Sequence, residues 1–344
     1  MADFGGWDMP IEYVGTVTEH TAVREAVGVF DVSHMGKIRI RGAGTRAFVN
    51  SLLANDLDRI EDGQAQYSML CTDDGGIIDD LIVYRLGDDD VFIVPNAANA
   101  SKVVAALQRD VPDGLSIEDQ HDELGIIAVQ GPRSAEVLRA VGLPNEHDYM
   151  SVVTGSFAAR EVLVCRSGYT GELGFEVIAP VDALVELWDA IVEEARKLGG
   201  GPAGLGSRDT LRTEMGYPLH GQDISPTISP VEAGLSWAVG WDKPDFAGKD
   251  VLTAQRESGP ARRLRGLRAE GRAIPRPHMQ VTDAAGEDVG EVTSGTFSPT
   301  QRVGIALALL DSRVAIGDEV LVDIRGRSTP FTVVKPPFVP SRVR

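Results

Sequence analysis

The spacing of apolar and polar positions predicts short strands mixed with amphipathic helices up to about residue 258, then a strand-rich tail with frequent Gly, Pro and Asp from Arg262 onward. Leu184, Trp188, Ile191, Ala195 and Leu198 recur at helical spacing and stop at Gly199-Gly200-Gly201, an amphipathic helix with a glycine terminator. The same periodicity predicts helices over 45–57, 97–107 and 134–141. Ser207 reads as the cap of another helix that starts at Arg208-Asp209, turns Leu211 and Met215 inward and closes at Gly216. Strands are expected over 37–40, 126–130, 162–166, 175–178, 320–324 and 331–334. This order is α+β rather than a βαβ alternation, and the change of pattern divides the chain into 1–258 and 259–344.

One run stands apart. Residues 63–84, GQAQYSMLCTDDGGIIDDLIVY, set two adjacent carboxylates inside an apolar strand pattern that follows a Gly75-Gly76 turn. A second apolar run, 91–95, lies beyond Gly87-Asp88-Asp89-Asp90, so the pair predicts a β-hairpin. Alternation puts Ile78, Asp80, Ile82 and Tyr84 on one face and Ile77, Asp79, Leu81 and Val83 on the other. The two aspartates therefore have different surroundings, and Asp80, with Tyr84 on its face and Tyr67 upstream, is the candidate catalytic acid. The plainer alternative is that both aspartates cap the turn or solvate a strand end.

The chain's 344 residues, 43% hydrophobic, are enough for two or three domains of about 100–200 residues each. No apolar run approaches the roughly 18 residues of a membrane span, and no basic-then-apolar leader opens the sequence, so a cytoplasmic protein is expected. A net charge of −18 disfavours nucleic acid and anionic membranes as partners. The local exception, Arg262, Arg263, Arg265, Arg268 and Arg272, reads as a solvated strand face, with a docking patch for an acidic protein as the sharper alternative. Cys71 and Cys165 read as reduced core thiols, with no metal site expected. The glycine-rich segments match neither a dinucleotide nor a P-loop fingerprint.

Several segments in order along the whole chain resemble the T-protein, the aminomethyltransferase family of the glycine cleavage system. They are FGGWDMP (4–10), Glu19-His20, FDVSHMG (30–36), the 63–84 run, VQGP (129–132), GYTG (168–171) with Glu176, GLGSRDTLR (204–212) and TSGTFSP (293–299). The resemblance implies a three-domain cloverleaf around a central folate cavity, with two interleaved folate-binding domains in 1–258 and a β-barrel-like domain in 259–344. It implies transfer of an aminomethyl carbon from the lipoyl group of H-protein to tetrahydrofolate with release of ammonia. It favours Asp80 over Asp79 as the catalytic acid and Glu176 over Glu172 for the pterin. It assigns Arg208 to the folate, and Tyr67, Tyr84, Tyr149 and Tyr169 to the pocket walls. Asn96 is expected to supply an amide contact and Arg342 a C-terminal one, while Arg212 reads as structural. Ser33, His20 and His34 invite a nucleophile-and-base reading, but no nucleophile elbow accompanies them. Two rivals remain: a folate-dependent demethylase of a small sulfonium or methylated amine, and a noncatalytic folate-binding protein.

Overall fold

A computed structural model describes all 344 residues, Met1–Arg344, and arranges them around two large sheets and a closed barrel, with a two-stranded ribbon, Ala2–Phe4 and Trp7–Met9, at the start. The first sheet has five antiparallel strands in the order Gln64–Cys71, Ile77–Gly87, Asp90–Val94, Ile38–Arg41 and Ser116–Asp119. Its outer face buries Leu81, Val83, Ile38 and Ile93 beneath the helices Thr45–Leu52 and Ala100–Arg109. Its inner face presents Tyr84 and Phe92 to the second sheet. The predicted hairpin is present, with Ile82 opposite Val94 and Tyr84 opposite Phe92.

Alternation holds from Asp79 to Tyr84 but not before it. The register shifts where Leu70 faces Asp79 and Cys71 faces Ile77, leaving Ile78 as the extra residue of a bulge. Ile77 consequently packs with Met69 and Cys71, and Ile78 packs against the helix-side cluster with Leu81 and Val83. The expected shared face of Ile78 and Asp80 is therefore corrected by the bulge.

The second sheet has six strands, in the order Val152–Phe157, Arg160–Cys165, Gly174–Pro180, Leu124–Gln130, Gly28–Asp31 and Gly201–Pro202. Only the last pairing is parallel. The chain enters this sheet at Gly28, leaves to build the five-stranded sheet, and returns at Leu124, so the two units are interleaved. The helices Ser134–Ala140 and Val181–Lys197 cover one face through Val137, Leu138, Leu187 and Ile191. From Arg262 to Val334 six strands close a barrel around Leu267, Val281, Leu310, Phe331 and Val333.

The helix Leu205–Met215 joins these units. It begins three residues earlier than the sequence suggests, with Gly204 at its N-cap. Ser207 is not the cap: it sits in the first turn, where its Oγ donates to the Gly204 carbonyl at 2.9 Å. Gly216 closes the helix at φ 69°, a left-handed position that suits glycine. Along the inner side runs a buried ionic lattice. Arg24 pairs with Glu214 at 2.8 Å and Glu172 at 3.0 Å. Arg212 pairs with Asp209 and Asp223, each at 2.7 Å, and donates to Ser294 Oγ at 2.8 Å. Although burial opposes it, hydrogen bonding and charge from His20, with Ser298 and Arg24, hold the Glu214 carboxyl down at about 2.

Candidate active site

A cavity of about 840 Å³ opens where the two sheets and the barrel meet, within the ~300–1,000 Å³ typical of small-molecule sites. Its wall takes Asp80 from the five-stranded sheet, Glu176 from the six-stranded sheet, Arg208 from the central helix, and Leu307 and Val334 from the barrel.

Asp80 faces this cavity from mid-strand. Tyr67 Oη donates to its Oδ2 at 3.1 Å, and Asn96 Nδ2 donates to its Oδ1 and to its carbonyl, both at 2.8 Å. Asp79 points the other way, completely buried. It accepts the Asn96 backbone N–H and the Asn96 and Asn99 side-chain amides at 2.8–2.9 Å. His220 extends the chain of contacts: Nε2 lies 3.0 Å from the Ile77 carbonyl, so it carries the proton, and Nδ1 accepts from Asn99 at 2.9 Å. Neither aspartate caps a turn. Burial raises the Asp80 pKa above the ordinary carboxylate value, opposed by the Tyr67 hydrogen bond and the His220 and Asn96 contacts. Burial, then the Asp80 charge, pushes Asp79 up to about 7. One carboxylate is thus immersed in donors, while its neighbour keeps a side open to the cavity.

Glu176 turns into the cavity while Phe175 and Val177 enter the core on the opposite face. Ser167 Oγ donates to its Oε2 at 2.5 Å, and Tyr84 Oη is 3.1 Å from the same serine oxygen. The turn before this strand is glycine for steric reasons: Gly171 has φ +78°, and a Cβ there would fall 2.2 Å from Met215 Sδ. Glu172, in that turn, is buried against Arg24. Arg208 makes no ion pair with Asp209 or Glu214, whose carboxylates are held by Arg212 and Arg24. Its guanidinium lies 4.8 Å from the centroid of the Tyr169 ring, which stacks on Tyr217. Tyr149 completes this part of the wall, with Arg344 at 5.8 Å from its ring.

Asn96 lines the cavity, where its amide N–H groups fix the two aspartates and leave its Oδ1 as the atom that can meet a ligand. One expected contact is placed differently. Arg342 stands outside the cavity wall. Its backbone N–H bonds the Gly171 carbonyl at 2.7 Å and its side chain is 62% exposed. Arg344, two residues on, lines the wall instead, because the C-terminal tail is pinned along the central helix by Phe338 N–H to Glu214 O.

The wall also holds residues to which the sequence reading gave no part in folate binding. His34 is buried in it with Nδ1 unpartnered, and burial, then the charges of Arg208 and Lys37, lowers its pKa to about 3. Ser33 Oγ accepts the Ile126 N–H and bonds neither histidine: His34 Nδ1 has no partner and His20 is held by Thr210 and Thr300, so no serine-histidine pair forms. Of the arginine cluster, Arg262 pairs with Glu232 at 3.1 Å, Arg265 reaches the cavity wall, and Arg268 and Arg272 are exposed. Trp237 lines the rim, stacked on Tyr67. Only distant contacts bring Asn99, His220 and Trp237 here; the polar residues Asn96 and Asn99 at the start of the predicted 97–107 helix were the one local signal.

Comparison with known proteins agrees with this architecture. The GCVT N-terminal domain matches residues 1–243, and the glycine cleavage T-protein C-terminal barrel domain matches residues 262–340. An aminomethyltransferase of Frankia alni is 58% identical over all of this chain and 95% of its own length. One from Mycobacterium tuberculosis is 54% identical, over all of this chain and 94% of its own. The crystal structure of glycine cleavage system aminomethyltransferase T from Bartonella henselae superposes with a TM-score of 0.93 at 34% identity, covering 99% of this chain and 94% of that one. With both domains matched in order and the same three-unit fold, the chain belongs to the glycine cleavage T-protein family of aminomethyltransferases.

Proposed function

We propose that this transferase moves the methylene carbon of an aminomethyl group, carried on the lipoyl sulfur of H-protein, to tetrahydrofolate. The products are 5,10-methylenetetrahydrofolate, ammonia and the dihydrolipoyl arm. The reaction balances without an oxidant: the C–S and C–N bonds to the aminomethyl carbon break, and two C–N bonds to folate form. The two folate N–H protons leave, one with sulfur and one with ammonia. The observation that carries the reading is the convergence of Asp80, Glu176 and Arg208 on one cavity, each keeping a side free of other ionic partners.

In this reading Glu176 accepts the adjacent N–H donors of the pterin edge, a bidentate pattern that one carboxylate can satisfy. Arg208 donates to the folate from its shelf on Tyr169, and Tyr67, Tyr84, Tyr149 and Tyr169 close around the rings. Asp80, fixed by Tyr67 and Asn96, accepts a hydrogen bond from the attacking folate nitrogen and stabilises the positive charge that passes over the transferred carbon. Low surrounding polarity strengthens that field. At the tail, Arg344 is better placed for an anionic folate group than Arg342. We further assign the boundary between the interleaved folate-binding part and the barrel to residues 258–259. A cytoplasmic setting without nucleic-acid or membrane partners suits the charge of −18 and the absence of any helix long and apolar enough to cross a membrane.

The test is to mix the purified enzyme with tetrahydrofolate and aminomethylated H-protein. Stoichiometric methylenetetrahydrofolate and ammonia are expected. Folate binding without either product, or methyl transfer from a small sulfonium instead, would overturn the assignment.

A further inference from the structure

Asp80 owes its direction to what holds its strand from outside the sheet. The bulge at Ile78 sets the phase of the alternation, so that Asp79 turns away from the cavity and Asp80 toward it. The residue before the bulge is clamped. Ile77 N–H donates to the Ser225 carbonyl at 2.9 Å, and the Ile77 carbonyl accepts His220 Nε2–H at 3.0 Å. The approach is close enough to require glycine next door, since a Cβ at Gly76 would fall 1.8 Å from the Pro226 carbonyl oxygen. The clamping segment is tied in turn to the central helix: Asp223 Oδ2 accepts the Leu219 N–H at 2.8 Å and Arg212 Nη1–H at 2.7 Å.

The second nitrogen of His220 leads back to the acid. With the proton on Nε2, Nδ1 can only accept, and it takes an N–H from Asn99 Nδ2 at 2.9 Å. Lys102 Nζ donates to Asn99 Oδ1 at 3.3 Å, which leaves Nδ2 as the group facing the ring. Asn99 Nδ2 also donates to Asp79 Oδ1 at 2.8 Å. Asn96 Nδ2 bonds that same oxygen at 2.9 Å and Asp80 Oδ1 at 2.8 Å. An unbroken line of hydrogen bonds therefore runs from His220 through Asn99, Asp79 and Asn96 to Asp80. Asn99 and Asp79 are both buried, so bulk water cannot replace a lost partner.

We propose that His220 is a positioning residue: its Nδ1 holds Asn99, and through Asp79 and Asn96 it aims the Asp80 carboxylate at the reacting folate nitrogen. This deepens the transfer reading given above and rests on the part Asp80 has in it. Without the Nδ1 acceptor, the buried Asn99 amide is left with an unpaired N–H and its hold on Asp79 loosens. A displacement of the acid by about 1 Å can cost on the order of 100-fold in rate.

The experiment is a double-mutant cycle on kcat for transfer from aminomethylated H-protein, with His220→Phe made in the wild type and in Asp80→Asn. In the wild type, His220→Phe should lower kcat about 30-fold, with folate Kd and the KM for H-protein within about twofold. In Asp80→Asn the same change should cost less than about threefold, because there is no carboxylate left to aim. His220→Asn, whose Oδ1 can stand at the Nδ1 position, should regain most of kcat, and His220→Gln should not. If His220→Phe does not fold, Asn99→Ala carries the same cycle. A ring that only braces its segment would give the same factor in both backgrounds, and that result would overturn the proposal. Equal activity of His220→Asn and His220→Gln would overturn it too. A wild type that makes no methylenetetrahydrofolate would instead remove the transfer reading itself.

Discussion

Arg208 and Arg212 lie one turn apart on the same helix and meet opposite fates. Arg212 is 2% exposed and its fork is filled by Asp209, Asp223 and Ser294. Arg208 has no carboxylate partner and rests on an aromatic ring at the cavity wall. The same contrast separates the acids: Glu214 is filled by Arg24, Ser298 and Thr300, while Glu176 and Asp80 accept only from neutral side chains. A buried charge that is fully paired locks the fold, and a charge held in place with a vacant side is kept for a ligand. Asp79 shows that position alone does not decide this, for it is adjacent to Asp80 yet spent on Asn96 and Asn99.

Substitutions in the two regions should therefore separate. The largest effect is expected at Asp80→Asn, with kcat falling about 10²–10⁴-fold and folate affinity within a few-fold of wild type. An equal collapse in Asp79→Asn, measured by the same steady-state assay, would remove the distinction between the two faces. Next comes the lattice. Arg212→Ala strands Asp223 and should lower unfolding free energy by about 3–5 kcal/mol in a denaturant titration. Arg208→Ala should change stability by less than about 1 kcal/mol while weakening folate. If both variants melt alike, pairing does not distinguish their roles. Glu176→Ala should lose about 1.5–3 kcal/mol of folate affinity by calorimetry, with kcat at saturation largely kept.

The smallest effect is a matter of pH. The Asp80 pKa is raised, so activity that needs its carboxylate should fall on the acid side at a pH above the usual ~3.9 of an aspartate. The Glu214 pKa is depressed to about 2, so its contribution to stability is complete above its unfolded value of ~4.3 and is lost only as pH falls toward 2. Asp79, raised to about 7, works in the other sense and adds stability as pH drops from about 7 toward 4. A kcat profile and thermal midpoints measured over the same range should show turnover failing while the Glu214 contribution persists. Coincident loss of both would contradict the contrast.

Much of this was legible in the sequence, and the limits have physical causes. Strand alternation split Asp79 from Asp80 because a period of two is local and strict, and the glycine stops at 199–201 and 216 ended helices where expected. Ile78 was assigned to the wrong face because a bulge depends on the partner strand. Ser207 was taken for a cap because its residue type suits that position, but Gly204 holds it and Ser207 bonds backward. The donors around Asp79 and Asp80 span 13 to 20 residues of sequence, and His220 closes on Ile77 across 143. No periodicity encodes such contacts. The tail offers no pattern to distinguish Arg342 from Arg344; its register is set by hydrogen bonds to the central helix and to Gly171.

The most direct measurement is a crystal structure of the enzyme with tetrahydrofolate bound. The pterin edge should lie within about 3 Å of the Glu176 carboxylate, with Asp80 facing the reacting nitrogens and Arg208 in contact with the ligand. A folate seated elsewhere, with Asp80 and Glu176 both untouched, would contradict the assignment of those open-sided charges to the substrate.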